Sequence, residues 1–390
     1  MVERSKVLVV VGSRPEAIKL APVVFALRER AAVFDTTICS TGQQQDLIPQ
    51  ALAEFGLHAD VDLNVMEPDQ ALASLTARLV LGLDRVLADR APQWVLVQGD
   101  TTSAMVGALA AFYRNIAVGH VEAGMRTGDS RAPFPEEVNR RLIGQCATLH
   151  FAPTRKCEGN LLAEGVPASR IFVTGNPVVD ALLWIRAQCS LDPPPLPAPV
   201  RGLSVGQRLI LVTSHRREHF GADLEHICRA MLELSRQRPD LVIVYPIHPN
   251  PNVRTPVVRL LGGQPGIALI DPLPYRSFIA LMDLACLVLT DSGGLQEEAP
   301  SFGKPVLVLR RATERAEGIE AGTARLVGPE THRIVEAVLE LLGDPRAYDA
   351  MARAANPYGD GRAAERIVGV FERWRDRRPE VAAETLAPIS

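Results

Sequence analysis

Asp291-Ser292-Gly293-Gly294-Leu295-Gln296-Glu297-Glu298 follows an apolar run, Cys286-Leu287-Val288-Leu289-Thr290, that reads as a buried strand. A helix-compatible segment, Gln296 to Phe302, comes next and is closed by Gly303-Lys304-Pro305. Strand, tight glycine turn and helix N-terminus in succession present backbone N–H groups and the positive end of a helix dipole, which suits a phosphate. Glycine at 293 and 294 lets the backbone approach an anion closely. One turn into the helix, Glu297 and Glu298 offer carboxylates to two ribose hydroxyls. An ordinary strand-to-helix turn looks the same, so the remainder of the chain has to decide.

Outward from this stretch, short apolar runs alternate with helical patterns. Upstream, Leu209–Thr213, Leu241–Pro246 and Ile267–Ile270 read as strands, and downstream so do Pro305–Leu309 and Arg325–Val327. The first half repeats the pattern with Val7–Val11, Thr36–Ser40, Val95–Gln98, Ile116–His120, Leu149–Ala152 and Ile171–Thr174. Helical patterns such as Pro22–Arg30, Leu72–Ala88 and Thr102–Arg114 lie between them. Strand, helix, strand in order predicts parallel sheets covered on both faces. The fold class is therefore α/β, with two Rossmann-like parallel-sheet domains and a cleft between them. Residues 1–190 form the first domain and 202–360 the second. Between them Leu191-Asp192-Pro193-Pro194-Pro195-Leu196-Pro197-Ala198-Pro199 reads as a semi-rigid linker, 191–201, because proline suits neither helix interior nor central strand. A helical pattern over 361–378 and a tail, 379–390, complete the chain.

A chain of 390 residues suits two domains better than one, and 47% hydrophobic with 22% charged residues describes a soluble globular protein with ample core. A formal net charge of −3 gives no electrostatic case for nucleic acid or an anionic membrane. Six cysteines form no CxxC and sit largely in apolar runs, which fits a reducing, cytoplasmic compartment. No segment approaches the roughly 18 apolar residues of a membrane span, and Val7 to Val11 is a first strand rather than a signal segment.

The chemistry-bearing residues fall at strand ends, where open parallel sheets bind their ligands. Gly12-Ser13-Arg14-Pro15-Glu16-Ala17-Ile18-Lys19 places Arg14 and Lys19 after a glycine turn, where two cations can meet a diphosphate; a solvated pair with Glu16 is the plainer reading. Neither G-x-G-x-x-G nor a Walker sequence is present there, so neither NAD nor ATP is indicated. Asp100, in Gly99-Asp100-Thr101-Thr102, is either the N-cap of the Thr102–Arg114 helix or a carboxylate facing the cleft. His120-Val121-Glu122-Ala123-Gly124 puts Glu122 at the same level, and Pro135-Glu136-Glu137 opens a helix with Glu136 in its first turn. Taken together, three carboxylates at one cleft make acid/base work plausible. In the second half Ser214-His215-Arg216-Arg217-Glu218-His219 forms a basic cluster. His215 and His219 have i, i+4 spacing, but the glutamate of H-E-x-x-H is absent and no third ligand is evident, so a phosphate contact suits His215 better than a metal. Thr313-Glu314-Arg315 can send a guanidinium to the same anion.

These ordered motifs, with His215-Arg216-Arg217-Glu218 and Thr290-Asp291-Ser292-Gly293-Gly294 among them, resemble the non-hydrolysing UDP-N-acetylglucosamine 2-epimerases of bacteria. The resemblance covers essentially the whole chain as far as Asn356-Pro357-Tyr358-Gly359-Asp360-Gly361. It implies the GT-B fold, a C-terminal helix crossing back to the first domain, a homodimer, and interconversion of UDP-GlcNAc and UDP-ManNAc with neither metal nor nicotinamide cofactor. It assigns acid/base roles to Asp100, Glu122 and Glu136, and help with UDP departure to His215. Arg14, Ser292, Gly293 and Gly294 would hold the diphosphate, Glu298 the ribose, Lys19 and Arg315 the sugar end, and Phe278 the uracil. A regulatory UDP-GlcNAc site is implied around Gln43, Arg216 and His248. The chain departs from the family there, with Gln43-Gln44-Gln45 for the usual Gln-His-Arg, and again with Arg311-Ala312 for Asp-Thr. The second departure leaves room for a modified UDP-sugar. A hydrolysing 2-epimerase and a GT-B glycosyltransferase are the competing readings.

Overall fold

The computed structural model describes residues 4–67 and 69–374. The expected tail, 379–390, and the end of the expected terminal helix lie outside the described residues. The chain divides into two units, one made of residues 1–181 with 359–390 and the other of 182–358. The division therefore falls within the helix Pro177–Leu191, upstream of the expected boundary at 190. The proline-rich stretch belongs to the second unit, where Arg276 donates to the carbonyls of Gln188 (2.9 Å) and Asp192. That stretch is also not wholly extended. Ala198–Arg201 forms a helical turn with Pro199 in its first positions, where a missing N–H costs nothing.

The first unit is a seven-stranded parallel sheet. Its strands are β1 (Ser5–Val11), β2 (Phe34–Ser40), β3 (Val61–Asp62), β4 (Trp94–Gln98), β5 (Ala117–Val121), β6 (Leu149–Ala152) and β7 (Ile171–Val173). The order is β3-β2-β1-β4-β5-β6-β7, and every pairing is parallel. The second unit holds β8 (Arg208–Thr213), β9 (Leu241–Pro246), β10 (Ile267–Ile270), β11 (Leu287–Thr290), β12 (Val306–Val308) and β13 (Ala324–Leu326). Its order is β10-β9-β8-β11-β12-β13, also all parallel. Central strands are buried on both faces, as the continuous Val/Leu/Ile runs require: β4 and β11 are buried at every position. In each sheet the chain runs outward in one direction, returns, and runs outward in the other. The order reverses between β1 and β4 in one unit and between β8 and β11 in the other. Such switch points are where a crevice opens beyond the strands' carboxyl ends.

Local chemistry explains where the reading from sequence slipped. The first helix begins at Arg14, not Pro22, because Ser13 caps it, accepting from the Glu16 N–H at 3.4 Å, and Pro15 suits its first turn. Pro22 is tolerated inside it because the face around it, Leu20, Ala21, Val23 and Val24, is buried. The helix Thr102–Tyr113 is capped by Thr101, which accepts from the Ala104 N–H at 3.1 Å; Asp100 is not the cap. The segment expected as one helix from Gln296 to Phe302 is an α-helix, Gly293–Glu298, running into a 3-10 turn, Ala299–Phe302.

The C-terminal helix, Ala363–Trp374, packs in the first unit. Phe371 is fully buried, edge-on to Trp94 at 4.9 Å between ring centroids and 5.5 Å from Phe151. Gly119 on β5 makes room for it, since a Cβ there would lie 2.7 Å from the Phe371 ring. Asp180 holds the start of this helix, accepting from Ala363 N (3.2 Å) and Ala364 N (2.8 Å). Burial pushes the Asp180 carboxyl up to about 6 against the pull of those N–H groups. Asp180→Ala is expected to cost about 1–2 kcal/mol at pH 5 and to raise amide exchange across 363–374. Because the folded pKa is raised, the wild-type advantage narrows as pH rises through about 6. Denaturant titrations at pH 5 and 7.5 with hydrogen exchange check both points. Among the described residues no helix is long and apolar enough to cross a membrane.

Candidate active site

Each switch point carries one buried carboxyl group that ties the two strand ends together. In the first unit it is Glu16, 2% exposed. Its Oε2 accepts from Gly12 N at 2.6 Å, beyond β1, and its Oε1 from Thr101 Oγ1 at 2.5 Å, beyond β4. Gly12 itself is pressed against Ser103, where a Cβ would lie 2.2 Å away. Burial pushes the Glu16 carboxyl up to about 7, opposed by the hydrogen bonds from Thr101, Gly12 and Ser13 and reinforced by Asp100.

In the second unit the same place is taken by Asp291, with no exposed surface. Its Oδ2 accepts from Ser214 Oγ (3.0 Å), His215 N (2.8 Å), Arg216 N (2.9 Å) and His219 Nδ1 (3.1 Å). Its Oδ1 faces His215 Nδ1 at 3.4 Å. Burial works to raise this carboxyl, but His219, the two N–H groups and His215 together hold it below the ordinary aspartate value. His219 thus serves Asp291. Burial lowers the His215 imidazole, with His248 and Arg216 adding to the effect and Asp291 opposing it.

The expected acid/base residues lie in the first unit. Asp100 Oδ2 accepts from Arg140 Nε (2.8 Å), its side chain pairs with Arg140 Nη2 at 2.7 Å, and its carbonyl accepts from Asn139 Nδ2 (2.9 Å). Glu122 follows β5 with φ of 64°, a left-handed conformation unusual for a side-chain-bearing residue. Its Oε2 accepts from Lys19 Nζ at 2.6 Å and also from Gln98 Nε2. Glu136 opens the helix Glu136–Cys146, and its Oε2 is buried with no hydrogen-bond partner. Arg14 is half-buried, and its backbone N–H donates to Gln44 Oε1 at 2.8 Å.

Sequence reading missed several members of this group. Glu137, side chain fully buried, accepts from Thr127 N (3.1 Å) and Gly128 N (3.4 Å) and shares Arg140 with Asp100. Its i+3 and i+4 arginines, Arg140 and Arg141, were the available signal. His120 anchors the Asp100 turn, its Nε2 meeting the Gly99 carbonyl at 2.8 Å, and burial pushes it down to about 3.

Around Ser292 the picture is also sharper than the motif. Ser292 precedes the helix Gly293–Glu298 without a side-chain capping bond, and its N–H donates to Thr290 Oγ1 at 2.9 Å. Arg315 lies against Gly293, donating to Glu297 Oε1 (3.0 Å) and Glu314 Oε1 (2.7 Å). Glu297 is thus engaged by Arg315, and Glu298 is half-buried beside Gly294. Phe278 is half-buried on Tyr275–Leu284.

The three residues assigned to a regulatory site have separate surroundings. Gln43 Oε1 accepts from Ser103 Oγ at 2.7 Å. Arg216 donates to the Asp291 carbonyl (2.8 Å) and to Glu314 (3.2 Å). His248 stacks on His215 with centroids 5.6 Å apart. The departing residue Arg311 pairs with Asp223 and with Glu330 at 3.3 Å.

Comparison with known proteins fits this geometry. A protein of Escherichia coli K12, UDP-N-acetylglucosamine 2-epimerase, is 52% identical over 373 residues, covering 95% of this chain and 99% of that one. The solved UDP-GlcNAc 2-epimerase of Neisseria meningitidis, bound to UDP-GlcNAc, is 42% identical with a TM-score of 0.85, covering 94% of this chain and all of that one. The glycotransferase of kitacinnamycin, at 12% identity, TM-score 0.62 and coverage of 95% and 99%, shares the fold alone, the GT-B arrangement of two Rossmann-like units. The family profile described as UDP-N-acetylglucosamine 2-epimerase matches residues 26–372. By that match and by its identity to the Escherichia coli protein, the chain belongs to the UDP-N-acetylglucosamine 2-epimerase family.

Proposed function

We propose that the protein interconverts UDP-GlcNAc and UDP-ManNAc by a non-hydrolysing route. A base removes the C2 proton while the C1–O bond to UDP breaks, leaving 2-acetamidoglucal and UDP. UDP then re-adds at C1 as a proton reaches the opposite face of C2. C2–H beside a non-carbonyl carbon is not acidic, so its loss requires a departing diphosphate and a positioned base. The observation that carries the reading is the pair of carboxylates ending β4 and β5, Asp100 and Glu122, each held on its own cation. Inversion at C2 needs proton transfer on two faces and hence more than one such group. Glu136, with an unpartnered buried oxygen, is the third candidate.

The second unit takes the leaving group. Ser292, Gly293, Gly294 and Arg315 are assigned to the diphosphate and sugar end, Glu298 to the ribose and Phe278 to the uracil; in the first unit Arg14 and Lys19 are the cations assigned to substrate. Burial favours neutral His215, and a bound diphosphate supplies the negative charge that restores its imidazolium form for UDP departure. The bound UDP-GlcNAc of the Neisseria relative supports the substrate. The reading includes a cytoplasmic homodimer, whose mass light scattering checks. Gln43, Arg216 and His248 remain the regulatory proposal; saturation kinetics without sigmoidicity in UDP-GlcNAc would remove it.

Incubation with UDP-GlcNAc in D2O, followed by NMR, is expected to give deuterium at C2 with both UDP-sugars retained. Free sugar and UDP would point to hydrolysis, and UDP-sugar without exchange to a transferase. The departure Arg311-Ala312 from the family's usual Asp-Thr makes a modified UDP-HexNAc the second reading. A higher kcat/KM for such a sugar than for UDP-GlcNAc favours it.

A further inference from the structure

Glu16 is the buried carboxyl group for which the proposed chemistry has no use. It lies on the first helix two residues beyond Arg14 and three before Lys19, yet pairs with neither cation in the described contacts. Its two oxygens reach the two sides of the β1/β4 switch point: Gly12 N on one side, Thr101 Oγ1 on the other. Thr101 passes the constraint on, since the same hydroxyl oxygen accepts from Ala104 N and starts the helix Thr102–Tyr113. Asp100 is the residue immediately before Thr101, and its backbone and side chain are otherwise fixed from the other direction by Asn139 and Arg140. Gly12 sits one residue before the cap Ser13, which leads into Arg14. One carboxyl group therefore spans the turn that carries the cation and the turn that carries the acid/base residue.

We propose that Glu16 is a positioning residue that fixes Asp100, through Thr101, relative to the Gly12–Arg14 turn. It touches no reacting atom. A shift of about 1 Å in a reacting group is enough to cost roughly a hundredfold in rate, so a group that locks this register governs kcat. The register also responds to charge. The charged group that acts on Glu16 is Asp100 across the switch point; of the cations on its own helix Lys19 is held by Glu122 and Arg14 stands two residues before it; the other groups packed on it, Ser13, Gly12 and Thr101, are neutral. Glu16 ionises around pH 7, and a full negative charge there acts on Asp100.

This inference rests on the epimerase reading for its kinetic test but not for its structural one. Glu16→Gln is expected to lower kcat for C2 exchange about tenfold or more, with KM moving less. The limb of the pH–kcat profile near pH 7 should flatten. Thr101→Val, which removes the hydroxyl and keeps the volume, should reproduce the kcat loss, while Thr101→Ser stays within about threefold of wild type. If Glu16→Gln does not fold, the Thr101→Val and Thr101→Ser pair decides alone. Equal rates for that pair, or a wild-type kcat and pH profile in Glu16→Gln, overturn the proposal. If the wild-type protein exchanges no C2 deuterium, the epimerase reading fails separately. The inference is then judged by backbone amide NMR: the Asp100 N–H resonance should move in Thr101→Val and stay in Thr101→Ser, and an unmoved Asp100 in both overturns it.

Discussion

Asp100→Asn is expected to slow both C2 deuterium exchange and UDP-GlcNAc epimerisation by about a thousandfold, within the range that a positioned acid/base group contributes. The substitution keeps the shape of Asp100 and most of its contacts while removing its charge, which also relieves the push on the Glu16 carboxyl. Arg140 keeps Glu137 as a partner at 3.1 Å, and Asn139 bonds the Asp100 backbone carbonyl rather than its side chain. An asparagine turned with its carbonyl toward Arg140 preserves one of the contacts now made by Oδ2. UDP affinity should stay within about threefold, since the turn assigned to the diphosphate is in the other unit. NMR in D2O measures the exchange and calorimetry the UDP affinity. Retention of a tenth of the wild-type rate would remove Asp100 from the acid/base set.

Asp291→Ala should act on the other half of the machinery and by another route. Four donors converge on one fully buried carboxylate oxygen: two backbone N–H groups, a hydroxyl and a histidine ring. Removing the acceptor strands them without water, and loss of one partner of a buried charged constellation costs about 3–5 kcal/mol. The turn at His215 and Arg216 then loses its anchor, so UDP affinity falls together with stability. The sign with pH follows from the depressed carboxyl. Its stabilisation is present above the ordinary aspartate value and disappears as pH falls through the still lower folded value. The wild type should therefore lose its lead over the variant only in strong acid. Urea melts from pH 2.5 to 7, with UDP titrations at pH 7, test this. A variant that binds UDP normally would show that the turn holds its shape without Asp291.

Much of this was readable from residue order, and the missed parts have physical causes. Strand cores of continuous Val, Leu and Ile announced themselves, and so did the turns after them. Strand order did not, because nothing local to β1 states that β4, and not a sequence neighbour, lies on its far side. The two-residue β3 was too short to leave a pattern. A cap stayed open as one of two readings of Asp100 because aspartate and threonine both serve, and only the backbone shows that Thr101 took the position. The roles of Glu16 and Asp291 went unread for a common reason. Burial of a carboxyl group depends on which distant turns bring donors to it, and those donors come from 85 and 77 positions away in the chain.

The helix Ala363–Trp374 belongs to the first unit although it is encoded after all of the second. Vectorial synthesis gives this order a consequence. The second unit is one uninterrupted segment and can close on itself as soon as Tyr358 clears the ribosome. The first, begun earlier, must wait with Trp94 and Phe151 uncovered until Phe371 arrives. A premature stop between Tyr358 and Phe371 would therefore injure the half of the molecule made first, and a nascent chain stalled there should expose it to chaperones.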